Sequence, residues 1–143
     1  MLQSFISKSE IETFNIAKNL SKKLASGDVV LLEGPLGAGK SIFIRGILKG
    51  LGINENVPSP TFTLVNEYKA AKNIYHFDLY RINDPYELYE IGFEEYIYSD
   101  GISLIEWASK AGELVPDKAM QVDINIISDN ERKININWKN PAY

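Results

Sequence analysis

The sequence contains no cysteine at all, which excludes disulfides and thiol chemistry. It contains one histidine, His76, which makes a histidine-rich metal site or a local Ser-His-Asp triad improbable. No apolar run approaches the roughly 18 residues of a membrane span. Residues 1–9 carry one lysine and no extended hydrophobic stretch, so no signal peptide is expected, and the cytoplasm is the default location. Basic tracts are also missing: acidic and basic residues are scattered, and the formal net charge is −4. Such a balance gives no sign of a dedicated grip on nucleic acid. What remains is ordinary for a water-soluble fold. Over 143 residues, 45% are hydrophobic and 24% charged, which suits a single domain over 1–143 with a full core.

The most informative stretch is Gly34-Pro35-Leu36-Gly37-Ala38-Gly39-Lys40-Ser41, which matches G-x-x-x-x-G-K-[ST] at every position. It follows the apolar run 29–32 and opens into a helical pattern over 42–51, the strand–loop–helix setting a P-loop requires. Gly34, Gly37 and Gly39 permit backbone conformations that turn successive N–H groups inward, and the helix N-terminus adds partial positive charge. Leu36 and Ala38 contribute amides to the same cradle. Lys40 supplies a mobile full charge for β- and γ-phosphates, and the Ser41 hydroxyl can ligate Mg²⁺. A glycine-rich turn that binds nothing is the alternative, and the flanking pattern argues against it.

The rest of the chain gives a mixed sheet. Residues 2–6 form a short edge strand; Ser9 and Glu12 make a capping box; the helix that follows presents Phe14, Ile16, Ala17, Leu20 and Leu24, with Gly27 as its stop. Residues 53–61, with Pro58 and Pro60, form a loop. Strands over 62–68 and 74–79 pair as a hairpin, Asp84-Pro85-Tyr86-Glu87 opens a helix reaching 91–92, and another short helix starts at Phe93. Ile102–Ile105 is a buried strand ending in Glu106-Trp107, and 108–114 make a helical turn limited by Gly112. Residues 120–127 and 133–138 alternate around a turn at 128–131, an antiparallel hairpin placed at the sheet's edge. The expected fold class is α/β, a P-loop NTPase-like mixed sheet with helices on both faces and a C-terminal hairpin.

A phosphate cradle needs an acidic partner for Mg²⁺ at the carboxyl end of a neighbouring strand. Asp78 and Glu106 both qualify, and either could instead be a structural carboxylate beside Arg81 or Lys110. Thr61 is a candidate switch-loop hydroxyl sensing the γ-phosphate. Trp107 could stack on a base or simply pack, and His76 reads as a satisfied packing residue.

Four blocks in order, Leu-Gly-Ala-Gly-Lys-Ser at 36–41, Ser-Pro-Thr-Phe-Thr-Leu-Val at 59–65, His-Phe-Asp-Leu-Tyr-Arg at 76–81 and Ile-Glu-Trp at 105–107, together resemble the TsaE (YjeE) family of small bacterial P-loop ATPases. The resemblance implies an ATP- and Mg²⁺-dependent accessory subunit that acts with TsaD and TsaB in making N6-threonylcarbamoyladenosine at position 37 of tRNA, the carbamoyl transfer itself belonging to TsaD. Carried over, Lys40 and the P-loop amides hold phosphates, Ser41 and Glu106 ligate the metal, Asp78 occupies the acidic position needed for hydrolysis, Thr61 lies in the switch-like loop, and Trp107 sits beside the site. Glu10 and Arg132 are candidates for the adenine pocket. Ser41-Ile42 replaces the commoner Thr-Thr while keeping the hydroxyl, and Ala108-Ser109-Lys110 departs from the pattern that usually follows Trp107. No arginine finger is recognisable, so weak hydrolysis by the isolated protein is expected. A nucleotide-dependent switch module is the alternative from another class. A small-molecule kinase is a third, disfavoured by the few arginines.

Overall fold

The computed structural model describes residues 2–54 and 63–138. Its framework is a seven-stranded sheet in the order β1-β7-β6-β2-β5-β4-β3, with β1 Leu2–Ser7, β2 Val29–Glu33, β3 Val65–Lys69, β4 Asn73–Asp78, β5 Ile102–Glu106, β6 Met120–Ile126 and β7 Arg132–Trp138. The central strands β6, β2, β5 and β4 run parallel to one another, while β1, β7 and β3 are antiparallel to their neighbours. β5 is buried at all five positions and β2 at all but its last, which explains their near-continuous apolar sequences: helices cover both faces of a parallel core.

One face carries α1 Glu10–Ser21 and α2 Lys40–Gly50, packed with Val30, Leu32, Leu104 and Val122. The other carries the short helices α3 Glu87–Glu90 and α4 Phe93–Ile97 and a 3-10 segment Ala108–Leu114, around Leu31, Phe77, Phe93 and Ile105. The Ser9 cap of α1 is present, but the return bond of the expected capping box falls one residue early, on Lys8 instead of Ser9. The Ser9 side chain accepts from the Glu12 N–H at 3.1 Å, and the Glu12 carboxylate accepts from Lys8 N–H. The two helices α1 and α2 cross closely because α2 is glycine-faced there. A Cβ on Gly46 would stand 2.7 Å from the Ala17 Cβ and closer still to the Phe14 carbonyl oxygen.

Three further expectations change in the fold. The β6–β7 hairpin is not at the sheet's edge. β6 pairs in parallel with β2, and β1 closes over β7, so the hairpin lies inside the sheet next to the P-loop strand. Helix α1 stops at Ser21, well before Gly27, whose N–H instead donates to the carbonyls of Asp100 and Gly101 and ties that loop to the start of β5. The Asp84 capping pattern is real, with Asp84 Oδ1 accepting from Tyr86 N–H and the Glu87 carboxylate accepting from Asn83 and Asp84 N–H. The helix it opens is a single turn that ends at Glu90, however, because i→i−3 bonds close it and Gly92, in the left-handed region, starts α4. Among the described residues no helix is long and apolar enough to cross a membrane.

Candidate phosphate-binding site

β2 ends at Glu33, residues 34–39 turn, and α2 begins at Lys40. The turn depends on glycine: Gly37 and Gly39 have φ of +81° and +105°, and a Cβ at Gly34 would lie 2.6 Å from the Ile124 carbonyl oxygen. This loop sits at the carboxyl edge of the parallel strands, where ligands collect in α/β sheets. Register brings the two sequence-predicted carboxylates to the same edge. Glu106 is opposite Leu32 on one side and Asp78 on the other.

Lys40, Asp78 and Glu106 all line one open cleft of about 510 Å³, together with Leu36, Gly37, Gly39, Ser41, Trp107 and Glu10. Lys40 is buried, and its Nζ donates to the Gly34 carbonyl at 2.6 Å. The same ammonium lies 3.6 Å from the centre of the Trp107 ring, a cation–π contact. Trp107 reaches it from a left-handed backbone (φ +59°), an uncommon state for a bulky residue, and its outer side meets the Tyr80 ring at 5.1 Å. Burial lowers the pKa of Lys40 below its ordinary value, and the charges of Glu106, Glu33 and Asp78 partly oppose that.

The carboxylates are held differently. Asp78 Oδ1 accepts from Tyr80 N–H at 3.0 Å, a local turn that fixes it at the end of β4. Glu106 Oε2 lies 2.8 Å from His76 Nε2, with both side chains buried. His76 is therefore more than packing. It engages the candidate metal ligand, while its Nδ1 has no hydrogen-bond partner among the described residues. A signal was available in the sequence: His76 and Asp78 are two apart on a strand and share a face. Tyr80 and Arg45 also line the cleft without having been singled out.

A second hollow of about 120 Å³ adjoins the loop on its other side, lined by Ala38, Gly37 and Gly39, by Ser9, Glu10 and Thr13 from the α1 start, and by Arg132 and its turn. Glu10 thus faces both spaces. Thr61 lies outside the described residues. Gly34 does not line the cleft but contributes the carbonyl that Lys40 holds. As a donor set for Mg²⁺, the Ser41 hydroxyl and one or two carboxylates are suitable. This ion takes hard oxygens, and in nucleotide sites the phosphates and water complete its shell.

A glycine-cradled lysine at a helix start, facing carboxylates across the carboxyl edge of a mixed sheet, defines a P-loop-type α/β protein. The family model described as threonylcarbamoyl adenosine biosynthesis protein TsaE matches residues 7–134, and the chain belongs to that family. A tRNA threonylcarbamoyladenosine biosynthesis protein TsaE from Rickettsia prowazekii is 43% identical over 134 residues, covering 92% of each chain. Its namesake from Bacillus subtilis is 43% identical over 124 residues, covering 86% of this chain and 77% of the relative. The crystal structure of Bacillus subtilis YdiB superposes with a TM-score of 0.87 at 34% identity, spanning 100% of this chain and 89% of the other.

Proposed function

We propose that this chain is a cytoplasmic, single-domain ATPase that binds ATP with Mg²⁺ and hydrolyses it slowly, as an accessory subunit in forming N6-threonylcarbamoyladenosine at adenosine 37 of tRNA. The observation that carries the reading is the convergence of Lys40, Ser41, Asp78 and Glu106 on one cleft beside the P-loop. The names of the relatives supply the pathway. TsaD and TsaB are its proposed partners, and tRNA is reached only through them, in keeping with the net charge of −4.

In this mechanism Lys40 and the loop amides bind and orient the β- and γ-phosphates, an electrostatic task for a preorganised site. Ser41 and Glu106 would hold Mg²⁺, which neutralises charge developing on the phosphates. Asp78 serves as the acidic residue needed for hydrolysis, and a carboxylate or a partner residue orients the attacking water. Glu10, which lines both spaces beside the loop, is the candidate for the adenine end. Trp107 holds the Lys40 ammonium against its ring face, beside the Gly34 carbonyl, where incoming phosphates compete for it. Thr61 completes the γ-phosphate contacts in the reading taken from the family.

The test is ATP hydrolysis by the purified chain, with and without TsaD and TsaB, alongside Glu106→Ala. The proposal expects a slow basal rate, stimulation by the partners, and loss of both in the variant. Partner-independent fast turnover, or a fully active variant, contradicts it. Nucleotide-dependent complex formation without stimulation would make the chain a switch module instead.

A further inference from the structure

Arg132 opens β7 immediately after the turn that joins it to β6, and its guanidinium reaches across to the P-loop. Nε donates to the Ala38 carbonyl at 3.1 Å and Nη2 to the Gly37 carbonyl at 3.2 Å. Nη1 donates to the carbonyls of Ser128, Asp129 and Glu131 at 2.7, 3.3 and 3.0 Å. All five contacts are to main-chain oxygen, so the planar donor fork mainly joins two loops, with one Nη2 hydrogen beyond those contacts.

The loop it reaches is anchored at several points, with Ala38 buried in the core and its N–H donating to the Pro35 carbonyl, and the Arg132 guanidinium adds a hold on the Gly37 and Ala38 carbonyls. Gly37 and Gly39 flank Ala38 in left-handed conformations that glycine adopts freely but does not itself enforce. Crowding at the glycines themselves does not dictate them: a Cβ at Gly37 would meet nothing within 4 Å, and one at Gly39 only the Thr13 methyl at 4.0 Å. In a trans peptide the carbonyl and the following N–H point in opposite directions, so fixing the Ala38 oxygen fixes the Gly39 amide on the opposite side.

We infer that Arg132 is a positioning residue that holds the P-loop in its phosphate-receiving shape, rather than a residue that reads the adenine. The inference rests on the phosphate-site reading above. It separates two roles for a side chain at the rim of the smaller hollow. A strut affects every ligand that carries a polyphosphate; a base contact affects the choice of base.

The experiment is titration calorimetry of the full chain and of Arg132→Gln and Arg132→Lys with inorganic tripolyphosphate, ATP and GTP, with melting temperatures measured in parallel. The expected result is a loss of about tenfold in affinity for tripolyphosphate and ATP alike in Arg132→Gln, with the ATP-to-GTP preference unchanged. Arg132→Lys, which keeps the charge and loses the fork, should fall between. An unchanged tripolyphosphate affinity with only a lower melting temperature overturns the inference, as does an altered ATP-to-GTP preference. Should Arg132→Gln fail to fold, the lysine variant decides by the same criteria. If the unsubstituted protein binds neither tripolyphosphate nor ATP, the phosphate-site reading itself fails, and this inference with it.

Discussion

His76 Nε2 lies 2.8 Å from Glu106 Oε2, between adjacent parallel strands, with both side chains buried and Glu106 lining the cleft. The contact occupies one carboxylate oxygen and orients the other. Groups that orient a metal ligand commonly change metal affinity or activity by about tenfold or more when removed. His76→Ala should therefore raise the half-saturating Mg²⁺ concentration for ATP hydrolysis by roughly that factor, with Gln recovering part of it. It should also cost about 1–3 kcal/mol of stability, since a buried carboxylate loses a partner. An unchanged magnesium titration would show that the pair has no part in metal binding.

The crossing of α1 and α2 predicts a purely structural effect. A side chain at Gly46 would run into the Phe14 carbonyl and the Ala17 methyl, neither of which can move without shifting a helix. Gly46→Val should destabilise by about 2–3 kcal/mol through overpacking. That corresponds to a melting temperature lower by roughly 5–10 °C. Thermal unfolding followed by circular dichroism measures it, and an unaltered midpoint contradicts the packing description.

Tyr96 gives a prediction at alkaline pH. Burial raises its pKa, as do the charge of Glu67 and the hydrogen bond its hydroxyl donates to that carboxylate at 3.3 Å; Tyr75 and Glu95 add to the shift. A pKa raised in the folded state means that the contribution to stability is complete below the ordinary tyrosine value of about 10 and is lost as pH rises through the folded value. Stability should thus fall more steeply with pH in this window than in Tyr96→Phe, where that contribution is absent. Glu67→Gln should bring the phenol's titration back towards its ordinary range. Equal alkaline slopes for the protein and Tyr96→Phe would count against it.

The Lys40 ammonium over Trp107 predicts an optical signal. The other tryptophan, Trp138, is buried in the core among α1, α2 and the sheet. In a Trp138→Phe background, ATP should change the Trp107 emission as phosphate oxygens compete with the ring for the ammonium. The change should vanish when Lys40→Met is added. A signal that persists without the lysine would require another origin.

The parts of this molecule that were legible in the sequence are those encoded locally. The P-loop, the Ser9 cap, the β3–β4 hairpin and the apolar β2 and β5 all rest on neighbouring residues whose chemistry dictates one conformation. Non-local pairing was harder to read. The β6–β7 hairpin is evident as a hairpin, but its place inside the sheet depends on parallel pairing with β2, some 90 residues away in sequence, and on β1 closing over it. The His76–Glu106 contact exists only because β4 and β5 pair in a register that alternation does not fix. Arg132 is a candidate for an adenine pocket that the sequence marks poorly, and only the folded loop shows its contacts with main-chain carbonyls beside the smaller hollow.

The most direct test of the account is titration calorimetry of ATP, with Mg²⁺ present, into the unsubstituted chain and into Lys40→Ala. Lys40 is the positive charge that the P-loop itself brings into the cleft at the start of its helix, in the same cleft as Asp78 and Glu106. The account predicts binding by the unsubstituted chain and a loss of about tenfold or more in the variant, the scale of a charge-assisted contact to phosphate. Equal affinity in the two proteins, or no binding in either, would contradict it.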